Sequence, residues 1–271
     1  WLPEVHTAIF ASATMTVSKS FEHFNHAVGL DRIGASTSSS LHLDSSYDFD
    51  SNMAVVVAGD IPDPRDREGY LSALERVLVD AHLAMGGSAL TLFTNRREME
   101  QCFDVVHPAL KEDDLRLVCQ KWGVSVKGLR DDFLKDEHLS LFALKSFWEG
   151  FDAPGATLKG VVIPKLPFGL PTDPLSCERQ QRDDRAWAHY SLPHAVIEVK
   201  QAVGRLIRKS TDRGIVVLAD KRLITKYYGK KFLNSLPSNN VVMMSCADIV
   251  AEVADRAAVE SLVSASGSSR S

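Results

Sequence analysis

The sequence lacks the short motifs that mark the best-known catalytic sites. It has no G-x-x-x-x-G-K-[S/T] phosphate loop: Gly123 and Gly128 have the glycine spacing, but Leu129 stands in place of the lysine. G-x-S-x-G and H-E-x-x-H motifs are also absent, and no apolar strand precedes the D-E-H run at 136–138, which resembles an acidic box only superficially. These absences exclude a complete nucleotide-hydrolysis site within the 271 residues.

Cysteine is scarce, and long apolar runs are missing. The 4 cysteines form no C-x-x-C pair, so we expect reduced thiols and neither a disulfide framework nor a metal site. No apolar run approaches the length of a membrane span, and no signal peptide is visible. We therefore expect a cytoplasmic monomer without a membrane partner. Because the chain begins at Trp1 rather than Met, we also expect one domain taken from a longer protein.

The charge is small in total but unevenly distributed. The formal net charge is −4, yet residues 200–231 hold ten Lys and Arg against only Asp212 and Asp220. A basic patch on an acidic protein favours an anionic partner at one surface. The alternative interpretation is a solvated helix face with scattered lysines.

Within the basic stretch, residues 201–208 have the pattern Q-x-x-G-R-x-x-R. If they continue a helix, Gln201, Arg205 and Arg208 lie about one turn apart and share a face. Two guanidinium groups and an amide suit a polyphosphate, because arginine binds phosphate oxygens in a bidentate manner. We interpret this segment as directed at the terminal phosphate of a nucleotide.

Apolar strands and amphipathic helices alternate along most of the chain. This alternation predicts an α/β fold: a parallel sheet in three layers, with helices on both faces. The predicted strands are residues 8–14, 53–58, 89–93, 115–119, 139–144, 158–164, 215–219 and 241–244. The predicted helices are residues 18–29, 70–85, 96–106, 125–135, 193–209, 222–236 and 247–263.

In parallel sheets, ligands bind beyond the carboxyl ends of the strands. Thr94, Asn95 and Arg96 follow one predicted strand and begin a helix, so a hydroxyl and free amides there would suit the phosphates of nucleic acid. Residues 146–155 follow another predicted strand, and their carboxylates and glycines would suit a bound ligand. Their aromatic residues are more typical of side chains packed in the core. His23 and His26, three apart, could form a metal site but lack a carboxylate at matching spacing; the alternative is an exposed polar face.

Four stretches in this order resemble the motifs of the C-terminal half of DinG-like helicases, bacterial relatives of the XPD family in helicase superfamily two. Residues 10–15 (F-A-S-A-T-M) resemble motif III, residues 92–96 (L-F-T-N-R) motif IV, residues 146–152 (S-F-W-E-G-F-D) motif V and residues 201–208 motif VI. The connecting K-L-P-F at 165–168 and A-D-K-R at 219–222 are also similar.

The resemblance implies a RecA-like second motor domain of an enzyme that unwinds DNA 5′ to 3′ with ATP and Mg²⁺, and places it in DNA repair. It implies catalytic roles for Arg205 and Arg208, with Arg208 the finger on the γ-phosphate. The remaining implied site residues contact nucleotide (Gln201, Glu149, Gly150, Asp152) or single-stranded DNA (Thr94, Asn95, Arg96, Ser146).

The resemblance also implies which parts of the enzyme belong to another domain. The phosphate loop, the Mg²⁺-binding acidic box and the iron–sulfur cysteines of many relatives belong to the first motor domain, which would be this chain's partner. We therefore expect no iron–sulfur cluster here and no ATP hydrolysis by the chain alone. Residues 1–16 would end the first motor domain, 17–263 form the second, and 264–271 form a disordered tail.

Two other functions stay open at this point. The chain could be a RecA-like module that binds nucleic acid without motor activity. It could also be an α/β enzyme that binds a phosphorylated metabolite, but such an enzyme needs a nucleophile or cofactor loop of its own, and the sequence shows none.

Overall fold

The computed structural model describes residues 4–33, 38–144, 147 and 157–255. Within them, seven parallel strands form one sheet in the order β3-β4-β2-β5-β6-β1-β7. The strands are β1 (Met53–Ala58), β2 (Ala89–Leu92), β3 (Arg116–Cys119), β4 (Leu139–Ala143), β5 (Gly160–Ile163), β6 (Gly214–Leu218) and β7 (Val241–Met244). Because all seven are parallel, their carboxyl ends meet at one edge, which we call the carboxyl edge; the opposite edge is the amino edge.

Helices cover both faces of this sheet. They are α1 (Glu22–Val28), α2 (Phe49–Asn52), α3 (Arg67–Met85), α4 (Arg96–Glu112), α5 (Val126–Lys135), α6 (Pro174–Arg182), α7 (Leu192–Val203), α8 (Arg222–Thr225) and α9 (Gly229–Leu233). Residues 246–255 are also helical. The predicted three-layer α/β fold is thus confirmed.

The alternation of side chains along each strand builds two cores. In β1, Val55 and Val57 pack in the cluster that includes the apolar face of α7, while Ala54 and Val56 pack with α3 and α4. All six β1 residues are buried, as expected for a central parallel strand covered on both faces.

Local signals explain the limits of the long helices. The Asp66 carboxylate accepts a hydrogen bond from Gly69 N at 3.2 Å and caps α3. The same helix stops at Gly86, whose φ of +64° is a left-handed conformation that favours glycine. Asn95 and Ser125 cap α4 and α5 in the same way as Asp66 caps α3.

The predicted strand at residues 8–14 is wrong. Within the described residues this segment joins no sheet, and Ile9 is 87% exposed. An apolar run forms a strand only where a neighbouring strand accepts its hydrogen bonds. Here Phe10 instead contacts Phe24 of α1, with the ring centres 5.3 Å apart.

Several predicted helices also differ in extent: α1 is shorter than the predicted 18–29, and α4 continues to Glu112 instead of ending at residue 106. A wide π-helical turn at Trp187–Ser191 leads into α7, which ends at Val203 rather than continuing to residue 209. The helix predicted at 222–236 is divided into α8 and α9 at Lys226, whose backbone is extended. The chain then returns so that the Gly229 backbone lies directly against the backbone of Leu223. A side chain at position 229 would overlap that backbone, so glycine permits the close approach.

Candidate functional site

The segment after β2 places Thr94 and Asn95 exposed at the carboxyl edge. The Asn95 side chain accepts a hydrogen bond from Glu98 N at 3.2 Å, so it is committed to capping α4. Arg96 Nη1 donates to Gln120 O, beyond the end of β3, at 2.7 Å. These three residues therefore lie together, with Thr94 the most available hydrogen-bonding side chain.

The neighbouring strands β3 and β4 are tied together beside this segment. Leu144 N, one residue past β4, donates to the Gln120 amide oxygen at 2.8 Å. The Arg96 guanidinium lies 5.0 Å from the ring centre of Trp122. Gln120 and Trp122 were not among the predicted site residues, although their position just after a buried strand was an available signal.

The arginines of the Q-x-x-G-R-x-x-R segment do not share a helix face, so that part of the prediction is wrong. Arg205 is buried, with 8% exposure, and its Nη1 donates to Phe147 O at 2.8 Å. Arg208 is exposed. Of the two arginines, only Arg208 is therefore accessible at the surface.

A turn replaces the expected last helical residues. Leu206 and Ile207 are both buried, which requires the chain to turn inward after Gly204. The buried Asp212 carboxylate accepts hydrogen bonds from Arg208 N and Lys209 N, both at 2.8 Å. This turn precedes β6, so it lies at the amino edge and is separate from Thr94, Asn95 and Arg96 at the carboxyl edge.

The last turn of α7 contacts the N-terminal segment. Gln201 Nε2 donates to Thr14 Oγ1 at 3.1 Å, and Lys200 Nζ donates to Thr16 Oγ1 at 3.0 Å. Burial lowers the pKa of Lys200 below its usual value. The residues that resemble motifs III and VI are therefore in direct contact.

The basic stretch at residues 200–231 is not one anion-facing surface. Lys200 is half-buried, Arg205 is buried, and Arg222 makes an ion pair with the buried Asp220 at 2.5 Å. Burial lowers the pKa of Arg222, but the hydrogen bond and charge of Asp220 outweigh it, so the pKa rises. The exposed members are Arg208, Lys209, Lys230 and Lys231.

Asp220 joins the loops that follow β5 and β6. Its carboxylate accepts hydrogen bonds from Leu166 N at 2.8 Å and from Arg222 N at 3.0 Å. Leu166 belongs to the K-L-P-F segment, and Asp220 and Arg222 belong to the A-D-K-R segment. Both segments resemble the family, but the sequence predicted no role for them. Their geometry indicates that they brace the carboxyl edge.

A buried ion pair connects α4 to the loop after β5. Lys165 Nζ contacts Glu98 Oε2 and lies 4.5 Å from the ring centre of Tyr70. Burial raises the pKa of Tyr70 well above its usual value, so the phenol stays neutral. Sequence reasoning missed this pair because 67 residues separate its members.

The two histidines of the possible metal site have other partners. His23 Nδ1 is 2.9 Å from His189 O, while His26 is 2.8 Å from Asp31 and 3.1 Å from the Tyr190 hydroxyl. Their contacts with residues 189 and 190 attach α1 to the π-helical turn. Among the residues that the structure describes, no group of three or more His, Cys, Asp or Glu could hold a metal ion.

Four predicted site residues lie outside the described residues: Ser146, Glu149, Gly150 and Asp152. The predicted tail at 264–271 and the end of the last predicted helix also lie outside them. In the part of the chain that is described, no helix is both long and apolar enough to cross a membrane.

Residues 78–239 match the family model described as the helicase C-terminal domain. The chain belongs to this family. The resemblance to DinG-like helicases, found from four short motifs, is thus confirmed, and the match includes three of those four motifs.

Curated relatives of this helicase C-terminal domain are DinG-like proteins. It is 34% identical over 239 residues to the ATP-dependent DNA helicase YoaA of Haemophilus influenzae, covering 86% of this chain and 35% of the relative. It is 32% identical to the ATP-dependent DNA helicase DinG of Photobacterium profundum, with 85% and 34% covered. It is also 28% identical to the 3′-5′ exonuclease DinG of Bacillus subtilis, with 92% and 27% covered. The chain thus spans about a third of the length of these relatives or less.

Solved structures show the same RecA-like fold. An XPD helicase superposes with a TM-score of 0.56 at 18% identity, covering 71% of this chain and 35% of the other. The structure of S. tokodaii Xpd4 gives a TM-score of 0.52 at 14% identity, with 79% and 42% covered. At these identities the likeness establishes the fold alone.

Proposed function

We propose that this chain is the second motor domain of an ATP-dependent DNA helicase, acting 5′ to 3′ in the cytoplasm, and that it supplies half of an ATP site. The observation that carries the proposal is the arrangement of residues 201–208. The segment presents one exposed arginine, Arg208, on a turn that two backbone hydrogen bonds to Asp212 hold in place. An arginine at the surface whose backbone is fixed in this way is suited to contact a phosphate that is bound on a second domain.

The two arginines take different roles in this proposal. Arg208 reaches the terminal phosphate of ATP, where a guanidinium stabilises charge in the transition state. Arg205 is a positioning residue, because its buried guanidinium holds the Phe147 carbonyl within the stretch that resembles motif V. Glu149, Gly150 and Asp152 of that stretch would then face the nucleotide.

Gln201 connects the nucleotide to the N-terminal segment. Its amide contacts Thr14, within the residues that resemble motif III. We propose that residues 1–16 end the first motor domain and that residues 17–263 form the second, with 264–271 a tail. A change at the ATP site could then reach Thr14 through a single hydrogen bond. Mg²⁺ ligands would come from the first motor domain.

The carboxyl edge provides the proposed contact with DNA. Thr94 is an exposed hydroxyl, Arg96 is fixed by Gln120 O, and α4 begins beside them. Hydroxyls, arginines and helix N-termini are typical donors to phosphate oxygens and carry no base specificity. Ser146 is proposed to join them. Such contacts suit an enzyme that moves along a strand of any sequence.

ATP hydrolysis by three proteins tests the proposal: this chain alone, the full-length protein, and the full-length protein with Arg208→Ala. We expect no turnover by the chain alone, turnover stimulated by single-stranded DNA in the full-length protein, and its loss in the variant with DNA binding retained. Turnover by the chain alone that Arg208→Ala abolishes would contradict the half-site. DNA binding without ATP hydrolysis by the full-length protein would indicate a binding module instead.

A further inference from the structure

Trp122 is an aromatic side chain placed almost entirely in water. It is 84% exposed, whereas the other tryptophan in the described residues, Trp187, is partly buried and packs against Phe168. Keeping a large indole in water forgoes the stabilisation that its burial would give. An exposed ring face is therefore available to a ligand.

The position of this ring is defined by its neighbour. The Arg96 guanidinium lies 5.0 Å from the ring centre of Trp122 and is itself anchored to Gln120 O at 2.7 Å. A guanidinium on one side of an indole is a cation–π contact, which restrains the ring while most of its surface stays exposed. Trp122 thus lies next to residues 94–96, at the carboxyl edge.

The surroundings favour a nucleobase as the ligand. Thr94 and Lys121 are exposed on the segments that follow β2 and β3, and Arg97 is exposed in the first turn of α4; all three can contact phosphates. Bases of a single strand stack on aromatic side chains whatever their sequence, since every base has a π face. Paired bases are already stacked within the duplex, so this surface suits an unpaired strand.

We propose that Trp122 is a stacking residue for one base of the single-stranded DNA bound at the carboxyl edge. The inference rests on the proposed helicase function and adds to it a contact with a base rather than with the phosphate backbone. Arg96, Trp122 and the base then form three successive layers. Stacking holds the strand in position between steps without reading its sequence.

Binding of fluorescent oligonucleotides to the full-length protein tests this proposal. The strands are an oligothymidylate and an abasic strand of equal length, which keeps the phosphates but has no bases. The variants are Trp122→Ala, Trp122→Phe, and Tyr47→Ala as a matched control. Tyr47 is an exposed aromatic residue before β1, at the amino edge.

We expect Trp122→Ala to weaken binding of the oligothymidylate about fivefold to a hundredfold. Trp122→Phe should retain most of the affinity, and Tyr47→Ala all of it. Wild type and Trp122→Ala should bind the abasic strand equally. The salt dependence of Trp122→Ala should match the wild type because stacking releases no counterions, while Arg97→Ala should lower the slope by about 1.

Three results would overturn the inference alone, provided that the wild type binds the oligothymidylate. They are normal binding by Trp122→Ala, an equal loss on the abasic strand, and a reduced salt slope for Trp122→Ala. If the wild type binds no single-stranded DNA, the proposed function fails and this inference fails with it.

Discussion

Replacing Lys165 with methionine removes the positive charge of a buried ion pair while keeping much of the side-chain volume. The side chains of Lys165 and Glu98 are only 19% and 11% exposed. The second carboxylate oxygen, Glu98 Oε1, is buried without a hydrogen-bond partner among the described atoms. The variant therefore leaves a buried carboxylate that has lost its countercharge.

The size of the effect follows from these contacts. Removing one partner of a buried ion pair costs about 3–5 kcal/mol. We therefore expect Lys165→Met to lower the free energy of unfolding by about 3–5 kcal/mol. Glu98→Gln should cost somewhat less, because Lys165 keeps its contact with the Tyr70 ring.

Urea unfolding of the 271-residue chain measures both values. The double variant Glu98→Gln/Lys165→Met should cost less than the sum of the single variants by about 1–3 kcal/mol, because the two charges are removed together. Arg182→Met is the control: its pair with Glu178 has side chains 79% and 49% exposed and should contribute less than about 1 kcal/mol. Strict additivity, or a Lys165→Met cost no larger than that of Arg182→Met, would contradict a stabilising buried ion pair between Lys165 and Glu98.

Three further substitutions test other parts of the structure. Burial lowers the pKa of His82 to about 4, below its usual 6.5. The unfolded chain therefore binds the proton more tightly than the folded chain. The free energy of unfolding should fall by about 3 kcal/mol as pH drops from 6.5 to 4. His82→Gln should flatten the dependence of urea midpoints on pH over that range, and an unchanged slope would exclude His82 as its source. Asn95→Ala should cost about 1 kcal/mol by removing the cap of α4, measured by thermal unfolding; no loss would argue against the cap. Arg205→Ala should lower the free energy of unfolding, measured in urea, by about 1.5–3 kcal/mol, because Phe147 O loses a charged donor. An unchanged free energy of unfolding would contradict a stabilising contact between Arg205 and Phe147 O.

The sheet was predictable because its strands carry their own signals. Residues 53–58 are an unbroken apolar run, and all of them are buried in the structure. Gly86 marks the end of α3, as its left-handed conformation requires. The segment at 8–14 also begins with an apolar run, at residues 8–11, yet it forms no strand in the structure. Composition reveals the tendency to form a strand, but not whether a neighbouring strand is present to pair with it.

The candidate site was predictable in its residue types but less so in its geometry. Extending the helical period through residues 201–208 placed Arg205 and Arg208 on one face, but the consecutive buried residues Leu206 and Ile207 are incompatible with one exposed helical face. Gly204 and the turn-forming Asp212 were available signals for a break. Contacts between distant segments, such as Gln201 with Thr14, depend on tertiary packing and follow from no local pattern.

We propose above all that Arg208 completes an ATP site shared with another domain. The most direct test is the turnover number for ATP hydrolysis by the full-length protein, stimulated by single-stranded DNA, with Arg208→Ala compared with Lys209→Ala. Lys209 is an exposed basic residue on the same turn, and only its backbone N–H bonds Asp212. We expect a loss of about 10³-fold or more for Arg208→Ala and near-normal turnover for Lys209→Ala. Wild-type turnover by Arg208→Ala, or equal losses in both variants, would contradict it.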